Sequence, residues 1–213
     1  MPSDIPVSLP PCPSGRHAGP GRPRLFDPDA ALERALEVFW QKGYEGTSLS
    51  DLTLAMGISR PSLYAAFGNK EALFRKALGR YLAGPAATLA QALARPQARA
   101  AIAAYLHAAA DMLSQPEHPA GCLVVQGALS CGEAGSVIRT ELAAQREASL
   151  QALRDRLELG RRAGELATDC DVDALARYVA TIHQGLSVQA SSGATRSELQ
   201  AVVSIALQHW PDP

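Results

Sequence analysis

Residues 43–74 read Gly43-Tyr44-Glu45-Gly46-Thr47-Ser48-Leu49-Ser50-Asp51-Leu52-Thr53-Leu54-Ala55-Met56-Gly57-Ile58-Ser59-Arg60-Pro61-Ser62-Leu63-Tyr64-Ala65-Ala66-Phe67-Gly68-Asn69-Lys70-Glu71-Ala72-Leu73-Phe74. Three helix starts are written into this stretch. Ser48 with Asp51 three residues on is a capping box, in which side chain and backbone satisfy each other's unpaired groups. Ser59 and Asn69 have short polar side chains suited to accept from the first helical N–H groups. Leu49, Leu52 and Ala55 share one face of the first short helix, and Leu63 and Phe67 share one face of the second. Between them Gly57 supplies a positive φ and Ile58 an apolar plug between two crossed helices. Pro61 is tolerated in a first helical turn, and Gly68 stops the helix.

Upstream, Asp27 caps and Pro28 opens a helix carrying Ala31, Leu32, Ala35, Leu36 and Phe39 on one stripe, ended by Gly43. Downstream, Leu73, Phe74, Ala77, Leu78 and Tyr81 continue from Asn69. The unit is therefore three helices, the second and third forming a helix-turn-helix. Residues 1–26 differ: Pro2, Pro6, Pro10, Pro11, Pro13, Pro20 and Pro23 sit among Ser and Gly. Proline fixes φ and removes donors, so this segment is expected to be a disordered arm, basic at Arg22 and Arg24. From about residue 83 the periodicity predicts helices near 98–114, 121–131, 135–160, 172–192 and 195–209. The expected architecture is all-α: an arm over 1–26, a helix-turn-helix domain over 27–72, and a larger helical domain over 73–213.

Composition agrees with a folded, helical chain. Of 213 residues, 47% are hydrophobic and only 5% aromatic, which argues against an all-β sandwich. The net charge of -1 excludes a uniformly basic nucleic-acid coat but not a basic patch. Residues 1–80 hold ten Lys/Arg and eight Asp/Glu, and residues 81–213 hold ten and thirteen. The first part is thus slightly basic and the second acidic. Cys12, Cys122, Cys131 and Cys170 lack disulfide density and zinc-ligand spacing, so no metal site is expected and a reducing cytoplasm is the simplest compartment. The N-terminus lacks the basic start and apolar run of a signal peptide, and no stretch has the apolar density of a membrane span.

The Gly-aliphatic-Ser turn at Gly57-Ile58-Ser59, the Leu63-Tyr64 pair, Phe67 and the Lys70-Glu71-x-Leu73 string together resemble the DNA-binding domain of TetR/AcrR-type transcriptional regulators. The resemblance implies an all-α dimer with a small-molecule pocket and the dimer interface in its larger C-terminal domain. The stretch Pro119-Ala120-Gly121-Cys122-Leu123-Val124, with Gly164-Glu165-Leu166 and Gln184-Gly185-Leu186, resembles one C-terminal subclass less specifically. The implied partners are an operator in double-stranded DNA, a small-molecule effector and a second copy of the chain, with no membrane and no cofactor. Repression is likewise an expectation from the resemblance, because the family also contains activators.

In a helix-turn-helix the second helix enters the major groove and its first residues reach base edges. Arg60 stands there, and arginine to guanine is the commonest specific contact; the alternative is that it only neutralises phosphate. Many relatives carry a basic residue or Gly where Pro61 stands, so base contacts fall to Arg60, Ser62 and Tyr64 around it. Thr47 and Ser48 open the preceding helix, where unpaired N–H groups and the dipole favour phosphate, although capping alone accounts for both. Lys70 opens the following helix as a phosphate contact or a solvated lysine. Arg22 and Arg24 are candidates for an adjacent minor groove.

In the C-terminal part, Tyr105, His107, Met112, Cys122, Gln126 and His183, with Gln184, are the candidate polar anchors of an apolar effector pocket. Each singly also fits an ordinary core or interface residue. Cys122 follows Gly121 at a helix start, where a dipole lowers a thiol pKa, and Cys131 lies nine residues on; this leaves a cysteine-based redox or electrophile sensor as an alternative. The last two helices, through Leu186 and Val203, are expected to pair across a two-fold axis as a four-helix interface. Effector binding is expected to shift the spacing of the two DNA heads through a long connecting helix over about 70–93. No catalytic motif is present, so an enzyme has no support in the sequence. A helical protein-interaction module without DNA binding remains the second alternative.

Overall fold

A computed structural model describes residues 26–129 and 136–211. The basic arm with Arg22 and Arg24, and Cys12 and Cys131, lie outside the described residues. Within them the chain forms α1 (Pro28–Gly46), α2 (Leu49–Met56), α3 (Arg60–Phe67), α4 (Lys70–Ala83), α5 (Ala87–Leu93), α6 (Ala98–Leu113), α7 (Leu123–Leu129), α8 (Ser136–Arg162), α9 (Val172–Ser191) and α10 (Arg196–Gln208). No strand occurs among the described residues.

The caps account for the boundaries. The Asp27, Ser48, Ser59 and Asn69 side chains each accept from an early backbone N–H of α1, α2, α3 and α4 in turn. Ser48 and Asp51 close the capping box reciprocally. Gly57 takes φ 65° and ψ 32°, the left-handed turn that a side chain resists. Gly43, at φ 67°, breaks the α1 ladder three residues before α1's last residue.

Helix α1 is the hub of the N-terminal unit. Phe39 meets Phe74 edge to face at 5.1 Å, and Trp40 meets Tyr81 in the same manner at 4.8 Å. All four rings are buried, and removing one such ring from a core costs roughly 3–5 kcal/mol. On the rim, Arg80 pairs with Asp29 and Glu33. Arg75 of α4 bonds Glu71 and reaches Glu141 of α8 at 2.7 Å. These ions are substantially exposed, and pairs of that kind contribute about 0–1 kcal/mol, so apolar packing holds α1 to α4 and α4 to the body. The buried residues of α1–α4 and of α6–α10 join in one continuous core.

The connecting helix differs from expectation. One helix over 70–93 does not form: α4 ends at Ala83, Gly84 takes φ -108° and ψ -101°, and α5 begins only at Ala87. Pro85 explains the break. It has no N–H for the ladder, and its ring disfavours helical geometry at the residue before it.

A second correction concerns α9 and α10. Leu186 and Val203 are 2% and 0% exposed within the single chain, so they belong to its own core and do not face a partner. The residues left outside are Tyr178 and Val188 on α9 and Val202 and Ile205 on α10, at 45–57% exposure. No described helix is long and apolar enough to cross a membrane.

Candidate functional site

The first candidate surface is the outer side of α2 and α3. Leu63 and Phe67 anchor α3, which leaves Arg60, Pro61 and Tyr64 exposed and Ser62 half-buried. Arg60 stands at the first position of α3, and its guanidinium donates to the Ser50 hydroxyl of α2 at 3.0 Å. That tether lies at the surface, where a hydrogen bond to solvent or phosphate replaces it readily. The Ser62 hydroxyl lies 2.9 Å from that of Ser59, inside the N-terminal cap of α3. The Pro61 ring occupies a first-turn position that needs no N–H.

Ser48 is exposed at the start of α2, bonded to Asp51, and Lys42 reaches Asp51 at 2.6 Å. Lys42 first, then the Ser48 bonds, hold the Asp51 carboxyl well below the usual carboxylate range. Lys70 sits 4.4 Å from the centre of the Tyr44 ring at the start of α4, a cation–π contact that orients the ammonium. Thr47 departs from expectation. It is 1% exposed and its hydroxyl donates to the Gly43 carbonyl at 2.6 Å, so its side chain closes the end of α1 and is not presented outward.

The second site is a cavity of about 220 Å³ among α4, α5, α6, α7, α8 and α9. Leu82, Leu89, Leu93, Val124, Leu150 and Leu153 form much of its apolar wall. Tyr81, Tyr105, Cys122, Arg146, His183 and Gln184 contribute polar groups. Of the six anchors expected from sequence, Tyr105, Cys122 and His183 come together here. The other three lie elsewhere. His107 is exposed and bonds Gln200 of α10, Met112 is packed in the core, and Gln126 bonds Ser191 and the Ala120 carbonyl. His107 and Met112 miss the cavity because α6 turns them toward α10 and the interior, a rotation that residue type alone does not reveal.

The polar groups are paired in a defined way. The Tyr105 hydroxyl lies 2.6 Å from His183 Nδ1. The Tyr81 hydroxyl donates to Cys122 Sγ at 3.2 Å, and the Cys122 N–H donates to Ser187 Oγ at 2.8 Å. Burial pushes the Cys122 thiol up despite the Tyr81 bond, and burial raises both tyrosines. For Cys122, desolvation thus outweighs the helix-start effect on which the alternative of a cysteine-based sensor rests. Burial lowers His183 to about 4, so the ring is neutral. Trp40 Nε1 donates to the Gly121 carbonyl at 2.9 Å, next to Cys122.

Sequence reasoning missed Tyr81, Arg146 and the short α5 wall. Tyr81 looked like one more core position on α4, and α5 has no side-chain cap to announce it. A Pro following Gly84 was the available sign that the chain turns back over the body there.

Comparisons with known proteins accord with this arrangement. Residues 31–77 match bacterial regulatory proteins of the tetR family, and residues 98–205 match the tetracyclin repressor-like C-terminal domain. The HTH-type transcriptional repressor ComR of Escherichia coli (strain K12) is 37% identical over 194 residues, covering 90% of this chain and 92% of ComR. BdcR, an HTH-type transcriptional repressor of the same strain, is 33% identical over 189 residues, 88% of this chain and 90% of BdcR. A cysteine-substituted CifR, a TetR family transcriptional regulator solved with 26-bp double-stranded operator DNA, superposes with a TM-score of 0.86 at 46% identity, over 90% of this chain and all of that one. The chain belongs to the TetR family of bacterial transcriptional regulators.

Proposed function

We propose that this regulator is a repressor that binds a palindromic operator as a homodimer and is released by a small molecule taken into the α4–α9 cavity. The observation that carries the proposal is the exposed first turn of α3. Arg60 stands there on a short helix anchored by Leu63 and Phe67, with Ser48 and Lys70 at flanking helix starts. In that frame Arg60, Ser62 and Tyr64 read bases or backbone, and Pro61 shapes the turn. The Ser48 helix start and Lys70 meet phosphates. The repressor names of ComR and BdcR and the operator complex of CifR support the same assignment. Because the partner is DNA, the protein acts in the bacterial cytoplasm, and its role is regulatory and not catalytic.

The exposed Tyr178, Val188, Val202 and Ile205 support pairing of α9 and α10 with a second copy, which places two α3 helices on one face. Half-sites one or more helical turns apart, about 34–36 Å per turn, then match the dimer. Release follows from the shared wall. Tyr81 lines the cavity, packs on Trp40 of α1 and bonds Cys122, so a ligand that moves Tyr81 or Cys122 bears on the helix that carries the head. Such a ligand must bind the two states unequally to shift them.

Footprinting on DNA flanking the gene tests the proposal. Two protected half-sites related by a palindrome are expected, and a single uninterrupted or sequence-independent footprint would contradict it. Capture of a protein partner with no protected DNA would instead support an interaction module.

A further inference from the structure

We propose that the cavity takes a small amphipathic anion, an apolar body carrying one carboxylate, and that the Arg146 guanidinium anchors its charge. This rests on the assignment of the cavity as the effector site and names the class of effector. The volume of about 220 Å³ exceeds the ~150 Å³ that encloses a benzene, which leaves room for one ring with a short acid chain.

Arg146 sets the charge class. No Asp, Glu or Lys stands among the described residues that line the cavity, so this guanidinium is the fixed charge of its wall. The carboxylates nearest to it along α8 are committed elsewhere, Glu141 to Arg75 and Glu147 to Arg154. Its partner among the described residues is neutral: Nη1 donates to the Val124 carbonyl at 3.3 Å. Nε and Nη2 donate to no described residue, and neither atom is sealed from solvent-accessible space. These two nitrogens form one edge of the planar fork, the edge that holds both oxygens of a carboxylate in parallel bonds. The more deeply buried polar groups are already matched to one another, Tyr105 to His183 and Tyr81 to Cys122, so the donors left for a ligand's charge are on Arg146.

Helix α8 sets the amphipathic shape. Arg146, Ser149, Leu150 and Leu153 follow at spacings of three and four, and all line the cavity from one face of the helix. Arg146 is half-buried and Ser149 exposed, whereas Leu150 and Leu153 are buried. The wall therefore grades over two turns from a polar rim to an apolar interior, which Leu89 of α5 continues. A ligand lying along this face keeps its acid at the rim, paired and still partly hydrated, and buries its ring among leucines. Such a placement avoids the cost of carrying an unpaired charge into the interior.

Calorimetric titration of the full chain at pH 7, where a carboxylic acid is ionised, tests this with four probes. Phenylpropionate carries the ring and the negative charge. Phenylpropanamide keeps the shape without the charge, phenylpropylamine reverses the charge, and propionate keeps the acid without the ring. Phenylpropionate is expected to bind at least about tenfold more tightly than each of the others, the discrimination that charge-assisted bonds and ring burial supply. Arg146→Gln is expected to remove the preference for acid over amide while the amide binds as it does to the wild type. Equal or tighter binding of any of the other three probes, a preference for the acid that survives in Arg146→Gln, or no saturable binding of phenylpropionate overturns the proposal. Operator affinity is measured in parallel. If phenylpropionate binds as expected and leaves operator affinity unchanged, the ligand class stands and release through this cavity fails.

Discussion

Trp40 and Gly121 stand 81 residues apart in the chain and are joined by a buried hydrogen bond, indole Nε1 to carbonyl oxygen, at 2.9 Å. The bond ties α1, which supports the DNA-facing helices, to the turn that begins α7 at the cavity wall. Gly121 has φ 90°, and an added Cβ would come within 2.4 Å of Ser191 Oγ and closer still to Gln126. The turn is therefore both conformationally special and sterically closed, which is why a glycine carbonyl can meet the indole there.

Trp40→Phe keeps an aromatic face against Tyr81 and deletes the donor. It leaves the Gly121 carbonyl buried and unmatched, so a loss of about 1–3 kcal/mol of stability is expected by urea denaturation. An unchanged unfolding midpoint would show that the bond contributes nothing to joining head and body.

Arg60→Ala is expected to weaken operator binding by about 1–3 kcal/mol and to relax specificity at one base position. Lys70→Ala is expected to weaken binding to all sequences and to reduce the salt slope by about one contact. Fluorescence anisotropy on operator and random duplexes separates the two. An equal loss on both duplexes for Arg60→Ala would assign it to phosphate and remove it from base reading.

Ile205→Glu and Val202→Glu place a charge on surfaces that are 57% and 46% exposed in the single chain. Folded monomers are expected by light scattering, with normal helix content by circular dichroism. Leu186→Glu and Val203→Glu put the charge into the core and are expected to unfold the chain. Dimers persisting in the first pair would move the interface off this face.

His183 gives a pH dependence of known sign. Its pKa is lowered by burial to about 4 from an ordinary 6.5, so the unfolded chain takes up this proton first as pH falls. Its contribution is constant above pH 6.5, declines as pH drops toward 4, and levels off below that. The total loss is on the order of 3 kcal/mol. Subtracting the stability profile of His183→Phe from that of the wild type isolates this slope from the acidic groups that titrate nearby. Parallel profiles between pH 4 and 6.5 would mean that the ring is not held neutral by its surroundings.

The helix-turn-helix was legible because its information is local. Ser48, Asp51, Gly57, Ser59, Gly68 and Asn69 each act within a few residues of chain, through caps and turns that spacing reveals. The cavity was legible only in part. Tyr105, Cys122 and His183 were recognised by type, yet their meeting depends on how α6, α7 and α9 are rotated, which is settled by long-range packing. Apolar stripes on α9 and α10 were visible too, but a stripe does not say which edge faces the chain's own core. Leu186 and Val203 lie inward while Val188 and Val202, close by in sequence, lie outward. Thr47 went the other way: a polar residue at a helix junction whose hydroxyl was already committed to Gly43.

The most direct measurement is the affinity of the purified dimer for the DNA flanking its own gene against a scrambled duplex of equal length, across a salt series. The structure predicts a preference of at least about 10³-fold for the flanking DNA at physiological salt. It also predicts a log–log salt slope that reflects several phosphate contacts and a reduced preference in Arg60→Ala. Equal affinity for the two duplexes, or binding indifferent to salt, would contradict the assignment of α3 as an operator-reading helix.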